Sequence, residues 1–169
     1  MKQQLGSALI FSLVILLVMT LIGITSMTTS TLEEKMAAND RARESAFQTA
    51  ETGMIGAEIA LSSQTYYGEL RGKISALEQG YYDIDAIPFD IHDAKQWEGN
   101  SIQDDSIADQ ANPPRYIIET VALIAPENPM EPGAITRLIS RITIRGTDPS
   151  NSASVLLQTY NEKQIIGNM

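Results

Sequence analysis

The chain has 169 residues, 43% of them apolar, no cysteine and a single histidine, and its 21 Asp and Glu against 12 Lys and Arg leave a net charge of −9. The missing cysteines exclude a disulfide framework and a thiolate metal site, and the acidic balance repels phosphate backbones and anionic lipid heads, which speaks against non-specific nucleic-acid binding. With the apolar N-terminal run set aside, about 140 residues remain, the size of one domain.

That run, Ala8 to Ile24 (ALIFSLVILLVMTLIGI), holds twelve Leu, Ile, Val or Phe in seventeen positions, and no ionisable side chain occurs between Lys2 and Glu33. At about −0.3 to −0.6 kcal/mol each on an insertion scale, the twelve give on the order of −4 to −7 kcal/mol, more than Ser12, Thr20 and Gly23 can offset. Seventeen helical residues reach about 26 Å, and the uncharged Ser and Thr that follow complete a hydrocarbon core of roughly 30 Å. A cleavable secretory signal has a shorter apolar part, about 7–15 residues, and a small-residue cleavage site that Ile24-Thr25-Ser26 does not match. The expectation is a retained single-span helix, with Lys2 and the amino terminus on the cytoplasmic side.

From Thr31 the pattern becomes that of an amphipathic helix. Phe47, Ala50, Met54, Ala57 and Leu61 recur at intervals of three and four and draw one apolar stripe, with Glu44, Glu51 and Glu58 on other faces. Between the two stretches, Thr25 to Thr31 is poor in helix formers, and Ser30 with Glu33, or Thr31 with Glu34, matches a capping box for a fresh start. One helix from about Ser7 to Leu61, roughly 80 Å long, is expected, with the Thr-rich part its weakest place.

Gln64 to Asn112 is acidic, with ten Asp or Glu against three basic residues, and is broken by Gly68, Gly72, Gly80, Pro88 and Gly99. It reads as a connecting region with short elements at most, such as Tyr81 to Ile84, tacked to the core by Tyr66, Tyr67, Tyr81, Tyr82 and Trp97. Strand signals begin at Arg115 with RYIIETVALI, continue in LISRITIR and end in ASVLLQTY, separated by Pro- and Gly-bearing turns. A three-stranded antiparallel meander follows, one face of which packs on the Phe47 to Leu61 stripe. The fold class is α+β: a long N-terminal helix whose first half inserts in a membrane and whose second half packs on a small C-terminal sheet, a lollipop. The boundaries fall at 7–30 for the membrane part, 31–63 for the amphipathic half, 64–112 for the acidic region and 113–169 for the sheet.

Catalytic patterns are missing: there is one His, no Cys, no G-x-S-x-G and no P-loop. His92 in FDIHDAK reads as a surface histidine, because zinc sites recruit several His or Cys. Asp83, Asp85, Asp90, Asp93, Asp104, Asp105 and Asp109 lie close enough in sequence to suggest calcium, but without EF-hand spacing they read as a solvated acidic surface. Asp148, Ser150 and Asn151 read as a hairpin loop before a ligand set. No cofactor, metal or catalytic residue is assigned.

A short polar leader ending in Gly6, an apolar helix running into an amphipathic one and a C-terminal sheet together resemble the type IV pilins and type II secretion pseudopilins. Within them, STLEEKMAANDRARESAFQTAETGM, PRYIIE, RITIRGT and VLLQTY look like the PilX-type minor pilins. The resemblance implies a leader of residues 1–6, cleavage by a prepilin peptidase between Gly6 and Ser7, and N-methylation of Ser7. It implies that the apolar helix, with Phe11, Leu13, Leu16 and Leu17, later packs against helices of other subunits. It also implies partners: other minor pilins and the major pilin, the inner-membrane pilus assembly machinery, and a large tip adhesin.

Two departures qualify the pattern. Typical pilins carry a glutamate at the fifth residue after the cut, thought to pair with a neighbour's N-terminal amine; here that residue is Phe11, which offers no counter-charge and points to a cap at the filament tip. The C-terminal disulfide of many pilins is absent. The expected function is a minor pilin that primes assembly and sits at or near the tip, first in the inner membrane and then on the surface pilus. The alternative is a single-pass anchored periplasmic binding module that never polymerises.

Overall fold

The computed structural model describes residues 5–63, 70, 72–74, 76, 78–105, 111–126 and 135–166. Tyr66, Tyr67 and Asp109, and residues 1–4 of the expected leader, lie outside the described residues. The chain divides into two units, Met1–Arg41 and Ala42–Met169.

The first unit is built from the leading part of α1, a helix that runs unbroken over Leu5–Ser63. The Thr-rich stretch stays helical, and its hydroxyls turn to the backbone of the preceding turn. Thr28 donates to Thr25 O (2.8 Å), Thr29 to Thr25 O (3.0 Å) and Thr31 to Met27 O (2.9 Å). A Thr31 hydroxyl engaged on the carbonyl behind it is not capping a new helix, so no fresh start forms there.

The second unit holds the end of α1 and a five-stranded sheet: β1 (Tyr81–Asp83), β2 (Ile102–Gln103), β3 (Arg115–Ile124), β4 (Ile135–Thr147) and β5 (Ser154–Ile166). The expected meander is its body, β3 against β4 and β4 against β5, both antiparallel, with Ile118 opposite Ile142 and Thr143 opposite Gln158. The acidic region adds two short strands to the outer edge of β3: β1 runs parallel to it, with Tyr81 opposite Ile118, and β2 antiparallel, with Ile102 opposite Tyr116. The sheet is therefore mixed. Gly80 makes that addition possible: its φ is +86°, and a Cβ there would lie 2.4 Å from Ile102 Cγ1 and 2.8 Å from Ile102 N.

Alternation places Tyr116, Ile118, Leu138, Ile142 and Ile144 on the sheet face that meets Ala50, Ala57 and Leu61 of α1, together with Leu70 and Tyr81. The helix side of this contact is made of small residues, with Ala46, Ala50 and Ala57 wholly buried. Small side chains let the helix backbone settle on the sheet, and at Gly146 of β4 it does: a Cβ there would lie 2.3 Å from both Ala46 O and Ala50 N. The expected stripe is corrected at one position. Phe47 is 38% exposed, because a ring that large cannot enter so close a contact and the helix turns Ala46 inward instead. At the helix end, Lys163 Nζ donates to Leu61 O (2.9 Å) and Ser62 O (3.1 Å), satisfying carbonyls that have no partner within the helix. Burial pushes the Tyr116 phenol up to about 12, so it stays neutral in this core.

The opposite face is covered by the acidic region. Arg141 pairs with Asp85 (3.6 Å), Arg145 Nη1 donates to Ala94 O (3.3 Å), and Ile117, Glu119 and Thr143 are buried beneath. A 3-10 helix, Ala94–Trp97, is capped by Asp93 and brings in Trp97, fully buried, whose ring meets Phe89 edge-on at 5.8 Å. Phe89 in turn meets Tyr82 at 6.2 Å. Of the expected aromatic tacks, Tyr81, Tyr82 and Trp97 are thus seen in place.

The β4–β5 connection is a hairpin loop wound around Asp148, whose carboxylate accepts from Ser150 N (3.0 Å), Ala153 N (2.6 Å), Ser152 Oγ (3.2 Å) and Ser150 Oγ. Asn151 takes a positive φ of 55°, which Asn tolerates, and Asn112 Nδ2 ties the loop back through Asp148 O (3.0 Å).

Two outcomes are expected. Gly146→Ala drives a methyl into the α1 backbone and should destabilise the chain by about 2–3 kcal/mol in chemical unfolding, whereas Gly72→Ala, with nothing within 4 Å of its Cβ, should be neutral within about 0.5 kcal/mol. The Ser150 hydroxyl, then the Ala153 N–H, hold the Asp148 carboxyl well below the usual carboxylate range. An unfolded Asp titrates near about 3.9, so this turn stabilises fully above that pH and loses its contribution as pH falls below it. Tm should drop as pH falls from about 4 to about 2, and drop less in Asp148→Asn.

Candidate functional site

The functional surface carried by the first unit is the apolar part of α1, whose side chains are described from Ala8 onward. It contains an 18-residue window with a mean hydropathy of 2.7, none of it buried, so the helix is long and apolar enough to cross a membrane. Phe11, Leu13, Leu16 and Leu17 are 69%, 64%, 67% and 56% exposed, placing all four on the surface. They do not form one face. At about 100° per residue, Leu13, Leu16 and Leu17 share a sector of roughly 100° and Phe11 stands on the far side. Ile10, Val14, Ile15, Val18, Leu21, Ile22 and Ile24 fill the remaining directions and are also exposed. A helix apolar all round is suited to an apolar environment on every side, whether lipid or other helices.

The polar residues within the run do not interrupt that surface. Ser12 Oγ donates to Leu9 O (2.9 Å), Thr20 Oγ1 to Leu16 O and Leu17 O (2.9 and 2.8 Å), and Thr25 Oγ1 to Leu21 O (2.8 Å). Each hydroxyl hydrogen is engaged on its own helix, which removes the cost of presenting an unmatched donor to hydrocarbon. Sequence patterning registered these residues only as breaks in hydrophobicity; their spacing of three or four from a carbonyl is the signal that could have placed them. Gly6 and Ser7 belong to the helix, and their side-chain surroundings lie outside the described residues.

Of the candidate ligand residues of the second unit, Asp104 is buried rather than solvated, Asp85 pairs with Arg141 of the sheet, and four others are bonded locally. Asp83 Oδ1 accepts from Ile84 N (2.9 Å), Asp90 Oδ1 from His92 N (2.9 Å), Asp93 from Lys95 N (3.1 Å) and Asp105 Oδ1 from Gln103 Nε2 (2.7 Å). His92 is exposed, and among the described residues no group of three or more His, Asp or Glu is placed to hold a metal ion. The strongest ionic feature is one the sequence reading missed. Glu119, wholly buried, accepts two hydrogen bonds from Arg141 at 2.7 and 2.8 Å, and those bonds keep the guanidinium protonated above its ordinary range. Only strand register brings these two residues face to face.

The model described as PilX N-terminal matches residues 6–54, and the model described as type IV pilus assembly protein PilX C-term matches residues 34–162. No curated protein and no solved structure gives a match.

Membrane residence should depend on the continuity of the apolar run. Leu13→Asp with Leu17→Asp adds about 2.5–3.5 kcal/mol per carboxylate near the middle of the span and offsets the whole insertion energy. The wild-type chain should remain in the membrane pellet after alkaline extraction, and the double variant should not.

Proposed function

The chain belongs to the PilX family of type IV pilus assembly proteins, and on that premise we propose that it is a minor pilin that primes pilus assembly and sits at or near the tip with other minor pilins. It is held in the inner membrane by α1 with its N-terminus cytoplasmic. Prepilin peptidase cuts between Gly6 and Ser7 and the new N-terminus at Ser7 is methylated. The helix then leaves lipid for a bundle formed with other minor pilins and the major pilin, and Phe11, Leu13, Leu16 and Leu17 pack there. The role is structural rather than catalytic.

The observation that carries this reading is a helix uncovered and apolar on every side from Ala8 to Ile24, with every described hydroxyl in it bonded to its own backbone. Such a surface is compatible with lipid and with packed helices alike, so transfer between them requires no refolding. Phe11 supports the tip position. A buried amine needs a counter-charge, and a subunit without one is poorly suited to receive another above it but suited to end the series. Inner-membrane assembly proteins below and a large adhesin above complete the set of partners; nothing in the acidic chain favours direct contact with nucleic acid.

The test is intact-mass measurement of the chain from piliated cells, together with a Gly6→Leu variant. A mature chain beginning at methylated Ser7, and an uncut precursor with few or no pili in the variant, are the expected results. A wild-type chain that keeps Met1 to Gly6, or normal piliation in Gly6→Leu, would overturn the reading in favour of an anchored module that never polymerises.

A further inference from the structure

β4 carries Arg137, Arg141 and Arg145 at intervals of four, all on the sheet face away from the Gly146 contact. Arg137 meets Glu162 of β5 through two bonds of 2.5 and 2.7 Å, and Arg141 meets Glu119 of β3 in the same forked manner. At Arg145 the pattern breaks, because the residue opposite it on β3 is Arg115. Like charges directly opposed across a strand pair are unfavourable. Among the described residues neither guanidinium makes an ion pair. Arg115 Nη2 donates to Gln103 Oε1 (2.8 Å) and Arg145 Nη1 to Ala94 O (3.3 Å), a fraction of the five donors each possesses.

Both arginines line a cavity of 460 Å³, together with Lys95, Glu98, Gln103 and Asn112. Among its described lining residues three cations stand against one carboxylate, in a chain whose net charge is −9. Burial, then the charge of Arg115, depress the Arg145 pKa, with Asp93 opposing them from its place as the cap of the 3-10 helix. The concave site thus holds two guanidiniums with no described carboxylate between them, on a face where the same strand's other two arginines each grip a carboxylate in a fork.

We propose that this cavity is a docking pocket for a carboxylate side chain of a partner protein, gripped between the Arg115 and Arg145 guanidiniums. The planar fork of arginine matches a carboxylate in two bonds, as this face shows twice. The acidic surroundings and the Glu98 rim repel a polyanion, whereas a single Asp or Glu on a protein surface brings one charge and enters a volume of this size. The proposal rests on the charge arrangement of the second unit and is independent of where the subunit stands in a filament.

The test uses the full chain in neutral detergent micelles, with the arginine Nε–Hε signals followed by NMR. The probes are a capped Gly-Glu-Gly-Glu-Gly peptide, its Gln counterpart and inorganic phosphate. The Glu peptide should shift the Arg115 and Arg145 signals saturably and the Gln peptide should not; Arg145→Gln should weaken binding at least tenfold and Arg137→Gln should leave it unchanged. Without ligand, Arg145→Gln should keep or raise Tm, because it removes a repulsion, while Arg141→Gln lowers it. Shifts with phosphate alone, no shift with any probe, equal binding by Arg145→Gln, or a Tm loss in that variant matching Arg141→Gln would each overturn the proposal.

Discussion

The second unit depends on a contact without a side chain: the α1 backbone at Ala46 and Ala50 rests on Gly146 of β4. A helix normally stands off a sheet by the length of its side chains, and here alanine and glycine shorten that distance to backbone contact. Large apolar residues of the sheet, Ile118, Ile142 and Ile144, fill the same core beside the contact. Such a core tolerates little change in volume, because the groups that would have to move are main-chain atoms held in a helix and a strand. The exposure of Phe47 follows from the same geometry.

A different constraint governs the first unit. Its described apolar side chains are exposed, so its stability is set by the apolar surroundings it finds. The serine and threonine hydroxyls reconcile that surface with the polar atoms it contains, each closing on a carbonyl one turn back. A segment of this kind is indifferent to whether its apolar neighbour is lipid or another helix. The family to which the chain belongs is one of pilus assembly, and the physical character of the helix agrees with that role.

The acidic region joins the two chemistries of the sheet. It covers the second face through Trp97 and Phe89, extends the sheet edge through β1 and β2, and uses its aspartates to hold tight turns. By covering that face it half-buries Arg141 and Arg145 of β4 and Arg115 of β3, so that a charged row exposed on an isolated meander becomes a set of paired or opposed guanidiniums with defined neighbours.

The sequence by itself determined what local and one-dimensional physics can determine. An uncharged stretch of seventeen residues, twelve of them Leu, Ile, Val or Phe, marked the N-terminal helix, the β-branched runs made β3, β4 and β5, and the Asp148 loop followed from its turn residues. Short motifs such as TLEEKMAAN carried the family resemblance. Tertiary structure alone decided matters of register and distance: which helix face turns inward, since periodicity cannot weigh Phe47 against a glycine a hundred residues away; the parallel addition of Tyr81–Asp83, which needs β3 as its template; and whether an arginine meets Glu119 or Arg115, because a shift of one residue along a strand moves every side chain to the other face.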